Sequence, residues 1–140
     1  MSIRQAVVAD ISDMHRVRMS VRENMLSDSR RVTPEMYREH LNEVGRGWVH
    51  EQDGRIVGFA VANLESCSVW ALFVDPAWEG RGIGRALLGT LVEWLHAQGT
   101  NKVTLCTEPG TRAASFYEVA GWKFKHIDES GEAIYELFLR

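Results

Sequence analysis

Val74-Asp75-Pro76-Ala77-Trp78-Glu79-Gly80-Arg81-Gly82-Ile83-Gly84-Arg85 is the stretch whose reading decides the fold. It continues an unbroken apolar run, Val69 to Val74, of the kind a central strand shows when both of its faces are covered. Asp75-Pro76 ends that strand, because proline has no N–H for a sheet ladder. Past the glycines, Ile83, Leu87, Leu88, Leu91, Val92 and Leu95 make one face of a helix that stops near Gly99. A strand that passes through glycines into a helix gathers unpaired N–H groups and the positive end of the helix dipole at one point. Glycine also keeps side chains out of the path of phosphate oxygens. Arg81 and Arg85 add charged donors at the rim. The turn therefore reads as a grip for the pyrophosphate of a nucleotide-like cofactor, although the same glycines also suit a tight turn that holds nothing.

Two familiar phosphate motifs fail here. The sixth residue counted from Gly80 is Arg85 and from Gly82 is Leu87, so Gly-x-Gly-x-x-Gly is never completed. No Lys-Ser or Lys-Thr pair follows for a nucleoside triphosphate loop. Dinucleotides and ATP lose ground accordingly.

Outward from this segment the pattern alternates strands and helices. A strand from Ile3 to Val8 leads to Asp10 as a helix cap, followed by Ile11, Met14, Val17 and Val21 at helical spacing. Thr33-Pro34-Glu35 starts a second helix that runs to about Val44 and stops at Gly45-Arg46-Gly47. Trp48 to Glu51 and Ile56 to Ala62 pair as a hairpin through Asp53-Gly54. Toward the C-terminus come a strand from Lys102 to Thr107, a helix from Thr111 to Ala120, and a closing hairpin of Trp122 to Ile127 and Ala133 to Leu139. The expected fold is α/β: one domain over residues 1–140, with a mixed central β-sheet flanked by helices on both faces.

Composition agrees with one ordinary globular domain. The 140 residues are 45% hydrophobic and 25% charged, enough chain to bury about 70% of its unfolded surface. A net charge of -3 and no basic cluster argue against a nucleic-acid partner. No apolar run approaches membrane-spanning length and no export signal is visible, so neither a membrane nor a secretory route is expected. Cys67 and Cys106 lack metal-ligand and Cys-x-x-Cys spacing and read as small buried residues of a reducing compartment. The expectation is a cytoplasmic protein with no metal.

Val74-Asp75-Pro76 followed by Glu79-x-x-Gly82-x-Gly84 resembles the Gln/Arg-x-x-Gly-x-Gly/Ala signature of the GCN5-related N-acetyltransferase (GNAT) family, with Glu79 where Gln or Arg is usual. Ala113-x-x-Phe116-Tyr117-x-x-x-Gly121-Trp122 resembles a second family segment, with Gly110 in place of an Asn that contacts pantetheine. The resemblance implies acetyl-CoA as acetyl donor, held by Gly80, Arg81, Gly82, Ile83, Gly84 and Arg85. It further implies that backbone groups of Leu72, Phe73 and Val74 hold the pantetheine and acetyl carbonyl where this strand splays from its parallel neighbour. Ser115 either bonds the cofactor or faces solvent. The family often forms homodimers, though this chain shows no interface signature beyond apolar strands near its end.

Transfer of acetyl to an amine needs an acid for the departing thiolate and a base for the incoming ammonium. Tyr117 is the candidate acid: a phenol of ordinary pKa about 10 donates to a thiolate whose thiol titrates near 8.5. Glu108 is the first candidate base, with Glu51 and His50 behind it and a water chain as the alternative. Acceptor contacts are expected from the first two helices and the loop between them, Arg22-Glu23-Asn24 through Arg31, and Trp48 and Trp70 either line an acceptor cleft or pack in the core. The acceptor itself, a small-molecule or protein amine, is not written in the sequence. Two other functions remain open: an acetyl-CoA-binding regulatory module without turnover, and a transferase of another acyl group. A valine at Gly82 would fill the phosphate approach, so folded Gly82→Val protein is expected to bind acetyl-CoA about tenfold or more weakly by calorimetric titration; unchanged affinity would contradict the grip.

Overall fold

The computed structural model of the protein describes residues 2–21 and 32–139. Its centre is a seven-stranded mixed sheet in the order β1-β2-β3-β4-β5-β7-β6. The strands are β1 (Ser2–Gln5), β2 (Gly45–Gln52), β3 (Arg55–Asn63), β4 (Ser68–Val74), β5 (Lys102–Thr107), β6 (Lys123–Ile127) and β7 (Ala133–Phe138). The α-helices among the described residues are α1 (Ile11–Ser20), α2 (Pro34–Glu39), α3 (Ile83–Ala97) and α4 (Arg112–Val119). Every neighbouring pair is antiparallel except β4 and β5. No helix among the described residues is long and apolar enough to cross a membrane.

Helices cover both faces, and each face has its own core. On one, the stripe Ile83, Leu87, Leu88, Leu91 and Leu95 of α3 packs with Ala114 and Tyr117 of α4 against Val57, Ala60, Val103 and Leu105. Each fully buried leucine there contributes about 1.5–3 kcal/mol. On the other face, Ile11, Met14 and Val17 of α1 join Tyr37 and Leu41 over Val49, Phe59 and Val61. The Asp53-Gly54 turn works as its sequence suggests, with both residues in the left-handed region at φ 52° and 77°.

Three local expectations need correcting. The first strand stops at Gln5 and a 3₁₀ turn, Val8–Asp10, precedes α1. Asp10 makes no side-chain cap bond to α1; its carboxylate accepts instead from Arg4 at 2.8 and 2.9 Å and from the Val7 N–H at 2.8 Å. The Arg4 guanidinium holds that carboxyl below its ordinary pKa. The second helix is capped by Thr33, which accepts from the Met36 N–H at 3.3 Å, but after Glu39 it widens into a π-helical turn, His40–Val44.

The helical segment stops at Gly45 as expected, and Gly45-Arg46-Gly47 also opens β2, ahead of the expected start at Trp48. Its glycines answer close packing: a Cβ on Gly45 would lie 1.7 Å from the Ala62 carbonyl oxygen, and one on Gly47 2.5 Å from Leu41 Cδ2. Gly89, in the middle of α3, would place a Cβ in open space. The two sites predict opposite signs in denaturant unfolding. Gly45→Ala should destabilise by about 2 kcal/mol or more, and Gly89→Ala should stabilise by about 0.5–1 kcal/mol.

Candidate active site

β4 and β5 are registered at a single pair, Ser68 with Thr104, where the Thr104 N–H donates to the Cys67 carbonyl at 3.0 Å. Beyond it β4 stays with β3 as far as Val74, and β5 stays with β7 as far as Thr107. The sheet is thus split between its two parallel strands. A cavity of about 650 Å³ opens in the split, with Leu72, Phe73 and Val74 on one side and Leu105, Cys106 and Thr107 on the other. β4 is central as its apolar run suggests, but only Ala71 is fully buried and the rest is half-buried, because the strand forms a wall of this cavity.

At one end of the cavity stands the N-terminus of α3. Gly80 and Gly82 take φ of 76° and 81°, a region that side-chain-bearing residues seldom enter. A Cβ on either would meet nothing within 4 Å, so the requirement is one of backbone sign and open approach, not of packing. The first intrahelical bond runs from the Ala86 N–H to the Gly82 carbonyl at 3.0 Å. The N–H groups of Ile83, Gly84 and Arg85 therefore lack acceptors within the helix and sit at its positive end. Together with the cavity beyond, these donors fit a pyrophosphate that carries a long arm.

Of the turn's expected residues, Gly80, Gly82, Ile83, Gly84 and Arg85 line the cavity. Arg81 does not; its guanidinium lies over the Trp78 ring, 4.7 Å from the centroid. Glu79 bonds Arg112 at 2.8 Å, tying the glycine turn to the start of α4. That bond gives a physical role to an acid at a position where the resemblance expects Gln or Arg.

Tyr117 lines the cavity from α4 and is 6% exposed. Phe116, Trp122 and Tyr135 hold its ring at centroid distances of 5.3, 5.8 and 6.5 Å. Burial raises its phenol pKa, and nearby Cys106 pushes the same way. The hydroxyl keeps its proton throughout the neutral range.

The other expected site residues lie apart. Ser115 is exposed and outside the lining, since α4 turns Ala114 and Tyr117 inward. Glu108 is exposed beyond the end of β5 and also outside the lining; its carbonyl accepts from Thr111 Oγ1 at 2.8 Å. Glu51 is bonded to Arg4, and His50 is buried in β2, where desolvation lowers its pKa. Trp48 packs in the core against Trp94, whereas Trp70 lines the cavity. Cys106 is exposed at the cavity, contrary to the buried thiol expected, and Cys67 is half-buried. Of the region expected to contact the acceptor, the first helix brings Arg18 to the lining, and the loop 22–31 falls outside the described residues.

The structure adds lining residues that sequence reasoning passed over, among them Arg18, Trp78, Arg112 and Glu132. Arg18 carried a readable signal: four residues after Met14, it puts a charge on the apolar stripe of α1. Glu132 had none, because the turn that presents it is closed by Asp128, whose carboxylate accepts from the N–H groups of Ser130 and Glu132. Among the described residues no group of three or more His, Cys, Asp or Glu side chains is placed to hold a metal ion.

Comparison with known proteins agrees with this geometry. Residues 11–122 match the model of the acetyltransferase (GNAT) family. The chain is 34% identical over 85 residues to serotonin N-acetyltransferase 2 of Oryza sativa, an alignment covering 59% of this chain and 42% of that protein. It spans less than half the length of the curated relatives it matches first. Among solved structures it superposes on the PaiA N-acetyltransferase of Thermoplasma acidophilum, determined in complex with coenzyme A, with a TM-score of 0.79 at 18% identity over 98% of both chains. An N-acetyltransferase from Staphylococcus aureus superposes with a TM-score of 0.81 at 18% identity over 99% of this chain and 98% of that one. With its sheet split at one parallel pair and a glycine turn opening α3 onto the gap, the chain belongs to the acetyltransferase (GNAT) family.

Proposed function

We propose that the protein moves the acetyl group of acetyl-CoA to the nitrogen of an amine acceptor by direct attack, with Tyr117 protonating the departing thiolate. The observation that carries this reading is one continuous cavity, running from the N–H groups at the start of α3 to the Tyr117 ring. Acetyl-CoA, when bound, supplies an activated thioester. The N–H groups of Ile83, Gly84 and Arg85 bind its pyrophosphate, and the Arg85 side chain adds charge. Backbone polar groups of β4 that face the split orient the acyl carbonyl.

Tyr117 Oη holds the proton that the sulfur takes as the C–S bond breaks. Burial raises its pKa, so the proton is still in place in the neutral range. An ammonium acceptor of lysine-like pKa must first lose a proton. Glu132 is the carboxylate suited to take it, replacing Glu108, because it faces the cavity and Glu108 does not.

A binding module without turnover draws on one observation, the position of Glu108 outside the cavity. Release of free thiol from acetyl-CoA, assayed with a panel of amines, separates the two readings. Amine-dependent release supports transfer; saturable acetyl-CoA binding with no release for any amine supports the module. Preference for a longer or acidic thioester would instead mark a transferase of another acyl group. Tyr117→Phe should lower kcat by about 10²-fold while leaving acetyl-CoA affinity unchanged, and the wild-type kcat should show no falling alkaline limb from this group below pH about 10. An undiminished kcat would remove Tyr117 from the chemistry.

A further inference from the structure

The chemistry above uses one hydroxyl of the cavity wall, that of Tyr117, and leaves a second unused. Along β5, Val103, Leu105 and Thr107 are buried while Lys102 and Cys106 are exposed, the alternation of a strand with one covered face. Val103 and Leu105 belong to the core that holds Tyr117, so Thr107 turns to the same side of the sheet. It is 6% exposed and lines the cavity. Among the described residues its hydroxyl has no hydrogen-bond partner. What little of Thr107 remains accessible faces the cavity.

A hydroxyl taken out of water without a partner costs stability. Valine has nearly the same shape and the same branching at Cβ, so packing beside Val103 and Leu105 does not call for the oxygen. The hydroxyl supplies a donor and an acceptor that the protein itself leaves unspent. Its place along the split says what would meet them. Counted from the Ser68 and Thr104 pair, Thr107 stands as far along β5 as Ala71 does along β4. Val74 and the glycine turn lie further out. An arm that starts from a pyrophosphate at the head of α3 runs inward past Val74, so Thr107 meets its inner, acyl-bearing end. The polar group next to the thioester there is an amide, and a hydroxyl can serve either its N–H or its C=O.

We propose that Thr107 Oγ1 hydrogen-bonds the cofactor amide nearest the thioester, fixing the acyl end of the arm beside Tyr117. This rests on the acetyl-CoA reading above. Exchange of the hydroxyl for a methyl group then acts with opposite signs. The free protein loses an unmade bond and gains stability, whereas the complex loses a made one.

The test is calorimetric titration with acetyl-CoA, together with thermal unfolding of the free protein, for wild type, Thr107→Val and Thr107→Ser. Thr107→Val should bind acetyl-CoA about tenfold more weakly and, when free, melt about 2–4 °C higher. Thr107→Ser keeps the hydroxyl and should bind within about twofold of wild type. Truncated donors locate the bond. Thr107→Val should lower kcat/KM for S-acetyl-N-acetylcysteamine, which keeps the amide, and leave that for ethyl thioacetate, which has none, unchanged. Equal acetyl-CoA affinity in folded Thr107→Val overturns this inference and leaves acetyl transfer standing. So does a lower melting temperature of the free variant, which marks the hydroxyl as structural, or an equal loss with both truncated donors. Should Thr107→Val not fold, Thr107→Ala set against Thr107→Ser makes the same comparison. Absence of acetyl-CoA binding by wild-type protein instead overturns the proposed function beneath it.

Discussion

Strands β4 and β5 meet at Ser68 and Thr104 and then part, and every other feature of the candidate site depends on that parting. Parallel strands in a sheet centre normally satisfy each other's N–H and C=O groups, and a buried polar group left without a partner costs about 1–3 kcal/mol. Here the outer edge of each strand is committed elsewhere, β4 to β3 and β5 to β7. The inner edges border a cavity open to water or ligand. The cost of broken pairing is thereby converted into a set of oriented backbone groups, which is what a thioester carbonyl and an amide-rich pantetheine arm require.

The glycine turn and α4 make sense only beside that gap. Chain leaving β4 must reverse direction into α3, and left-handed Gly80 and Gly82 allow it while directing the helix N-terminus at the cavity's end. The Glu79 to Arg112 ion pair joins that turn to α4. α4 in turn carries Phe116 and Tyr117 to the cavity wall. The glycine turn, the position of Tyr117 and the gap between the parallel strands are consequences of one topology rather than separate inventions.

Much of this was legible because it is periodic or local. Apolar spacing placed β4 and α3, Asp53-Gly54 placed a hairpin, and Thr33-Pro34 placed a helix start, all of which are decided by neighbours in sequence. Gly45 and Gly47 were legible as the helix stop but not as the start of β2, because the close approach of Ala62 and Leu41 that requires glycine there comes from residues distant in sequence. Asp10 misled similarly, since its cap role was displaced by Arg4 across the chain. Glu108 and Ser115 were chosen by proximity to a strand end or a motif, and the direction in which β5 and α4 turn their side chains sends both away from the cavity. Arg18 and Glu132 enter it through tertiary packing.

The most direct test of the central claim is a crystal structure of the protein with acetyl-CoA. The account predicts pyrophosphate oxygens on the N–H groups of Ile83, Gly84 and Arg85, the acyl-bearing arm between β4 and β5, and the sulfur within hydrogen-bonding reach of Tyr117 Oη. A cofactor bound outside the split, or a thioester remote from Tyr117, would contradict it.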